Sequence, residues 1–541
     1  MTVAEFIAKE LRKTGVEWAF GIPGGEVATM LEALHQEGIE FVLTSHEAGA
    51  AFMADAYYRR TGKVALVLAT LGPGATNAVS GAAQAYLDRS PILFLTGAVA
   101  TRLKDVYPHQ ILNHVTMFGP VTKWSETVCA QNVREVMARA LTDVKAYPPG
   151  PIHLDLPVDV ALDTLRQEDT QKPGRVPPVE DLSVLRKIIP MIQESRRPVF
   201  IVGLEAVDKE SAALLSAVVE SQKIPVLTTY KAKGVLDESH PLSLGALGLS
   251  PSFDQIAIDF LQEADVRIAL GVDPVELRSD WLEVWSELQV IGIGQDPARF
   301  PGFPSFIRWV GHPAAFLKHL EGVGSTLREP AGDPSFQKVR AQHVARWDAA
   351  EARVSTIAPG VLAPHQVLRV VDEECSDAVI TIDTGAMRIA ANHLIHARHP
   401  NQILQSNGLG TMGYALPAAI GAQIALPNEV VIALVGDAGL LMLLGELSTA
   451  AARDLPIVVV VFVDQSLSLI DLKQSRMHYA HVGVDVFTPN FAGIAEQFGG
   501  QGFVASSLEE FRRQLQIGRS TRGCLTMIHV PIDQKSYDAL M

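Results

Sequence analysis

Two aspartates, Asp437 and Asp464, each close a run of aliphatic residues, Val430 to Val435 and Ile457 to Val463. Runs of that length read as buried strands. The helical spacing of Leu440 to Ala452 between them predicts a parallel β-α-β unit. Both carboxylates then stand at the carboxyl edge of one sheet, where open α/β sheets bind ligands. Two carboxylates beside small residues suit a hard divalent cation and the phosphate it carries; they equally suit strand ends or helix caps. A third acid, Glu47, follows the strand-like Phe41 to Thr44 and opens an alanine-rich helix, Ala48 to Arg60. A carboxyl group in such apolar company has its pKa raised toward values useful for proton transfer, although a helix-start glutamate also offsets the helix dipole. Glu26 stands in the first turn after Gly21-Ile-Pro23-Gly-Gly25 and carries the same two readings.

These groups need rigid elements behind them. Thr2-Val-Ala-Glu5 is a capping box for a first helix through Leu11. Strands over Trp18 to Phe20, Phe41 to Thr44, Val64 to Thr70 and Ile92 to Thr96 alternate with helices, and one helix follows Leu71-Gly-Pro73-Gly-Ala-Thr-Asn77 through Leu87. That alternation implies an α/β fold with a doubly wound parallel sheet. The unit closes near Tyr147 to Pro157, and the polar, proline-bearing Asp163 to Asp181 reads as a linker. A second unit runs from Pro198 through Ile224 to Leu227, Val266 to Leu270 and Val290 to Ile293. A second linker is expected over Gly322 to Pro334, and a third unit begins near Val361. Three similar α/β domains follow: 1–165, 182–325 and 350–541.

Composition bounds the function. The chain has 541 residues, 48% hydrophobic and 19% charged, which predicts a well-buried multidomain enzyme. A net charge of −15 argues against nucleic acid as a partner. Cys129, Cys375 and Cys524 lack metal-like spacing; they are read as buried thiols in a reducing cytoplasm. No apolar run reaches membrane length, and no secretory signal is read at the N-terminus.

The Gly436-Asp437-Ala438 and Val463-Asp464 stretches resemble the thiamine-diphosphate motif of Gly-Asp-Gly followed at similar distance by Asn-Asn, with Ala438 and Asp464 as departures. Ser45-His-Glu-Ala48, Gly72 to Val79 and Ile224 to Gly234 extend the resemblance over nearly the whole chain. The sequence is similar to the acetolactate synthase-like branch of thiamine-diphosphate enzymes, which includes pyruvate oxidases and benzaldehyde-lyase-type carboligases.

The resemblance implies a pyrimidine-binding, a central and a diphosphate-binding domain, with thiamine diphosphate and Mg2+ as cofactors. It implies that Asp437, Asp464 and the Ser466 carbonyl hold the metal. Pro23, Glu47, Thr70, Pro73 and Asn77 would line the pyrimidine. Gly385, Gly410, Met412, Ala438, Gly439, Leu467, Ser468 and Leu469 would complete the cofactor site, with Met412 bending the cofactor. Glu47 would act on the pyrimidine ring nitrogen, and Gln110 falls at the family's active-site glutamine. His109, Glu26 and Lys473 are substrate-side candidates; Lys473 stands where acetolactate synthases carry an acceptor-selecting tryptophan, and it is expected to meet an anion. His114, beside Gln110, is a further catalytic candidate.

The implied reaction is decarboxylation of a pyruvate-like 2-oxo acid and carboligation to a second carbonyl. The alternatives are a decarboxylase or lyase releasing an aldehyde, and a flavin-containing oxidoreductase with FAD in the central domain. A homodimer or homotetramer with the active site between subunits is also implied.

Overall fold

The computed structural model describes residues 1–104, 108–165, 181–295, 305–321, 334–352 and 354–540. Most of both expected linkers, and Tyr107 ahead of Gln110, lie outside the described residues. Three six-stranded sheets carry the fold, and all their pairings are parallel.

The first sheet contains β1 (Trp18–Ile22), β2 (Glu40–Leu43), β3 (Ala65–Ala69), β4 (Ile92–Ala98), β5 (Ser125–Thr127) and β6 (Ile152–Pro157), in the order β2-β1-β3-β4-β6-β5. The second contains β7 (Pro198–Val202), β8 (Val226–Thr229), β9 (Ser243–Leu247), β10 (Val266–Leu270), β11 (Ile291–Gly294) and β12 (Ile307–Val310), in the order β12-β11-β10-β7-β8-β9. The third contains β13 (Val379–Ile382), β14 (Ile403–Gln405), β15 (Val431–Gly436), β16 (Val458–Val463), β17 (Gln501–Val504) and β18 (Thr526–Pro531), in the order β14-β13-β15-β16-β18-β17. The outer two sheets therefore share one winding. The central sheet has the dinucleotide-type winding instead. Central strands such as β16, Val-Val-Val-Val-Phe-Val, are apolar at every position because helices cover both faces.

The first and third sheets also share a core. One continuous cluster joins Phe20, Phe52, Tyr57 and Phe94 to Tyr414, Val431 and Val461. Its centre is the crossing of the helices Glu47–Thr61 and Ala415–Ala425. Gly421 permits the approach: a Cβ there would lie 2.1 Å from the Met53 carbonyl oxygen. Buried charges tie in the central domain. Arg89 and Asp273 pair at 2.7 Å, and Asp88 accepts from Lys231 at 3.0 Å and from the Gly408 N–H at 2.7 Å.

Two readings are corrected, that of one helix after Asp437 and that of three buried thiols. The single helix expected over Leu440 to Ala452 is two, Asp437–Met442 and Glu446–Ala451. The chain bends between them to meet the first domain: the Ser45 hydroxyl donates to the Gly445 carbonyl at 2.7 Å. An 18-residue helix, Pro334–Glu351, precedes the third sheet and packs on the central domain, where Trp347 meets Phe253 with ring centroids 5.4 Å apart. Of the three thiols only Cys375 is buried; Cys129 and Cys524 are half-buried. No helix among the described residues is long and apolar enough to cross a membrane.

Candidate active site

The carboxyl edge of the first sheet gathers the residues that follow β1, β2 and β3. Glu47 opens its helix one residue after His46, whose Nδ1 caps the helix by accepting the Ala48 N–H at 3.1 Å. Glu47 is 4% exposed and accepts from Asn77 Nδ2 at 3.0 Å. Gly74 lies against it; a Cβ there would stand 3.1 Å from Glu47 Oε1. The Thr70 hydroxyl donates to Glu26 Oε2 at 2.9 Å, and Gly24, next to Pro23, is pressed against Thr70. So Glu26 is engaged with Thr70 at this edge, beyond any dipole effect. Pro73 opens the Pro73–Leu87 helix that carries Asn77.

Gln110 has a left-handed backbone, φ 58°, and its Cβ rests over Gly72; its side chain and that of His109 are exposed. His114 is buried and committed elsewhere. Its Nε2 accepts the Gly72 N–H at 3.2 Å, so that nitrogen carries no proton, and Nδ1–H faces Asp155 at 2.9 Å. Asp155 also accepts from Thr96 at 2.8 Å. His114 thus holds the turn into the Pro73 helix and is no free base.

The carboxyl edge of the third sheet gathers the residues after β13, β15 and β16. Asp383 is fully buried, and burial pushes its carboxyl up to about 7. It accepts the Gly413 N–H at 2.9 Å and the Thr384 N–H at 2.7 Å. Gly439 must lack a side chain because a Cβ would fall 2.6 Å from Asp383 Oδ2. Asp437 accepts the N–H of Ala438 at 2.7 Å and of Gln465 at 2.8 Å, and burial raises its pKa. Asp464 accepts the Ser466 N–H at 3.2 Å and the Ser468 hydroxyl at 2.5 Å. Burial, with the charge of Asp437 adding, pushes it up to about 6. Gly410 is left-handed at φ 65°, and Met412 is half-buried in the turn between β14 and the Ala415 helix. Gly385 caps the Ala386–Leu394 helix. Leu467 is half-buried; Leu469 and Lys473 are exposed on the Ser468–Arg476 helix.

These residues fit a cation with a phosphate ligand. A buried and a half-buried carboxylate that repel each other are relieved by a divalent cation, and the Thr384 hydroxyl is buried with no partner. Among the described residues no cluster of three or more His, Cys, Asp or Glu forms a cage. Magnesium takes one or two carboxylates and completes its shell with phosphate and water. At the central sheet, Glu276 accepts the N–H groups of Leu204 at 2.9 Å and Asp273 at 2.8 Å, where β7 and β10 end; Glu205 accepts that of Gln295 at 2.9 Å. Carboxyl groups already occupy these N–H groups at the crevice a dinucleotide diphosphate would use, so the central edge does not fit FAD.

Sequence reasoning placed the Asp383-Thr-Gly385 loop at a strand end but missed Glu446. Glu446 is fully buried and accepts the N–H groups of Ser45 and His46 and the Thr449 hydroxyl. A lone acid in the apolar run Leu440 to Leu447 was the readable signal for it.

Three family models match the chain in order. The "Thiamine pyrophosphate enzyme, N-terminal TPP binding domain" covers 1–117, the "central domain" 185–320 and the "C-terminal TPP binding domain" 383–530. The chain is 31% identical over 533 residues to a probable acetolactate synthase large subunit of Methanocaldococcus jannaschii, covering 95% of this chain and 89% of that one. It is 32% identical over 531 residues to the acetolactate synthase large subunit of Porphyra purpurea, covering 93% and 87%. With the isozyme 2 large subunit of Escherichia coli K12 it shares 29% over 548 residues, covering 99% and 96%.

Proposed function

Because the chain belongs to the thiamine pyrophosphate enzyme family, we propose that it decarboxylates a small 2-oxo acid such as pyruvate and joins the remaining fragment to a second carbonyl compound, as an acetolactate-forming enzyme. The observation that carries this reading is that one chain carries two such sheet edges, one offering a buried acid, the other two carboxylates and an unpartnered hydroxyl. The bound cofactor supplies a carbon nucleophile and an electron sink for loss of carbon dioxide.

The chain's own residues do the rest. Glu47 holds or releases a proton at the pyrimidine ring, kept in place by Asn77. Asp437, Asp464 and the Ser466 carbonyl would hold Mg2+, with Thr384 and Gly385 available to the diphosphate. Met412 and Gly410 would shape the cofactor. The domain spans 1–165, 182–325 and 350–541 are our reading of the same division.

Among the described residues no hydrogen bond or ion pair joins Glu47, Thr70 or Asn77 to Asp437, Asp464 or Ser468. We read the site as completed by a second copy of the chain, in a homodimer or homotetramer, and the enzyme as cytoplasmic.

The test supplies thiamine diphosphate, Mg2+ and pyruvate and identifies products by mass. Acetolactate is expected. Acetaldehyde alone would move the assignment to a decarboxylase, and no product from pyruvate or a panel of 2-oxo acids would remove it.

A further inference from the structure

One face of the first sheet carries a polar patch. His153 and Asp155, two apart on β6, share that face, with Thr96 of β4 and Ser125 of β5 beside them in register. The short helix His114–Phe118 covers the patch and meets it at both ends. Phe118 stacks on the His153 ring at 3.9 Å between centroids, and His114 Nδ1 lies 2.9 Å from Asp155. Thr96, His114, Phe118, His153 and Asp155 are all buried.

The hydrogens of this patch have one consistent placement. The Thr96 hydroxyl donates to Asp155 at 2.8 Å, so its oxygen accepts from His153 Nε2–H, also at 2.8 Å. Burial keeps His153 neutral, its pKa pushed down to about 3, and its bare Nδ1 accepts from the Ser125 hydroxyl at 2.6 Å. From the other side, His114 gives its Nδ1 proton to the bond with Asp155, which leaves Nε2 bare to accept the Gly72 N–H at 3.2 Å. Donors run inward from both ends and stop at Asp155. Gly72 is where this order reaches the site. It is left-handed at φ 59°, and the Gln110–His114 segment closes around it. A Cβ on Gly72 would lie 2.9 Å from Gln110 Cβ and 3.0 Å from the Gln110 carbonyl oxygen, while His114 holds the N–H. Gln110 is itself left-handed at φ 58°, a backbone that persists only where its surroundings enforce it.

We propose that His114, fixed in one tautomer by Asp155, is a positioning residue that registers the Gln110 loop on the Gly72–Pro73 turn. The inference rests on the carboligase reading above, in which Gln110 is a catalytic candidate. A rigid ring that donates at one nitrogen and accepts at the other makes Gly72 sensitive to the state of Asp155. Thr96 holds Asp155 from behind, and His153 holds the far end of the helix through Phe118.

The test compares His114→Gln, His114→Asn, His114→Leu, Gln110→Ala and the His114→Leu/Gln110→Ala double variant in the full-length protein. Gln keeps an acceptor near the place of Nε2, Asn keeps a donor near that of Nδ1, and Leu fills the space with neither. Hydrogen exchange at the Gly72 amide should quicken at least tenfold in His114→Leu and His114→Asn, and less than threefold in His114→Gln. The kcat/KM for pyruvate should fall at least tenfold in His114→Leu, and His114→Gln should recover most of it. Added to Gln110→Ala, His114→Leu should cost less than threefold more, because the group it positions is already gone. A histidine that only fills space would leave His114→Leu and His114→Gln alike, and its loss would multiply with that of Gln110→Ala. Unchanged exchange at Gly72 in His114→Leu, or multiplied losses in the double variant, would overturn the proposal. Should His114→Leu not fold, the Gln and Asn variants carry the comparison, and equal exchange with equal kcat/KM in those two overturns it as well. If the parent turns over no 2-oxo acid, the carboligase reading fails, while exchange at Gly72 across the series still decides whether His114 holds the turn.

Discussion

The carboxyl group of Glu446 accepts the backbone N–H of His46 at 3.0 Å, one residue ahead of Glu47. The same group takes the Ser45 N–H at 3.2 Å, so a residue of the third domain fixes the loop that delivers the acid of the first. Glu446→Ala would leave two N–H groups buried without partners, at about 1–3 kcal/mol each. We expect a lower denaturation midpoint and faster amide hydrogen exchange at Ser45 and His46. Unchanged exchange at both would show that the loop holds itself.

Asp464 sets a pH dependence. Its folded value, about 6, lies above the ordinary carboxyl range, so the ionised form is the disfavoured one. That cost is absent below the unfolded value near ~4 and complete above about 6, so cation-free protein loses stability as pH rises through this window. Asp464→Asn should therefore stabilise cation-free protein at pH 7.5, by on the order of 1 kcal/mol read as a higher melting temperature, and should do so less at pH 5. Magnesium affinity of the parent should fall by up to about tenfold per pH unit below 6, as protons compete for the carboxylate. Titration calorimetry at pH 5.5 and 7.5 decides it; equal affinities would exclude Asp464 as a ligand.

A site shared between copies has a genetic signature. Glu47→Gln and Asp437→Ala should each be inactive alone. Co-expressed, they should regain activity, because one site of each mixed dimer receives Glu47 and Asp437 intact from different chains. Continued inactivity of mixed dimers isolated by two affinity tags would place both residues in a single chain.

Gly421 is a stability prediction. A methyl group there meets the Met53 carbonyl at 2.1 Å, and only backbone movement can relieve it. Gly421→Ala should cost about 1–3 kcal/mol and spread the two helices. Denaturant titration measures the cost. The Glu47 helix is one of the pair, so activity should fall with stability.

The strands and the two acid-bearing edges were legible because parallel strands covered on both faces leave unbroken apolar runs, as in Val458 to Val463. Helix breaks were less so. The bend at Leu443–Gly445 answers to Ser45, about 400 residues away, and no local pattern encodes such a contact. What His114 holds was hidden for the same reason: its partners Gly72 and Asp155 lie on two other segments. Glu26 looked like a helix-dipole residue until Thr70 was found against it.

The outer sheets repeat one strand order. In that shared scheme, β2 and β14 occupy the same address, the border strand. Glu47 follows the first and the Gly410–Met412 bend follows the second. A buried acid and a glycine-bearing turn thus stand at equivalent stations of one strand order. Whatever spans the two edges meets the same border of the same winding twice, once as a carboxyl group and once as a bend of backbone.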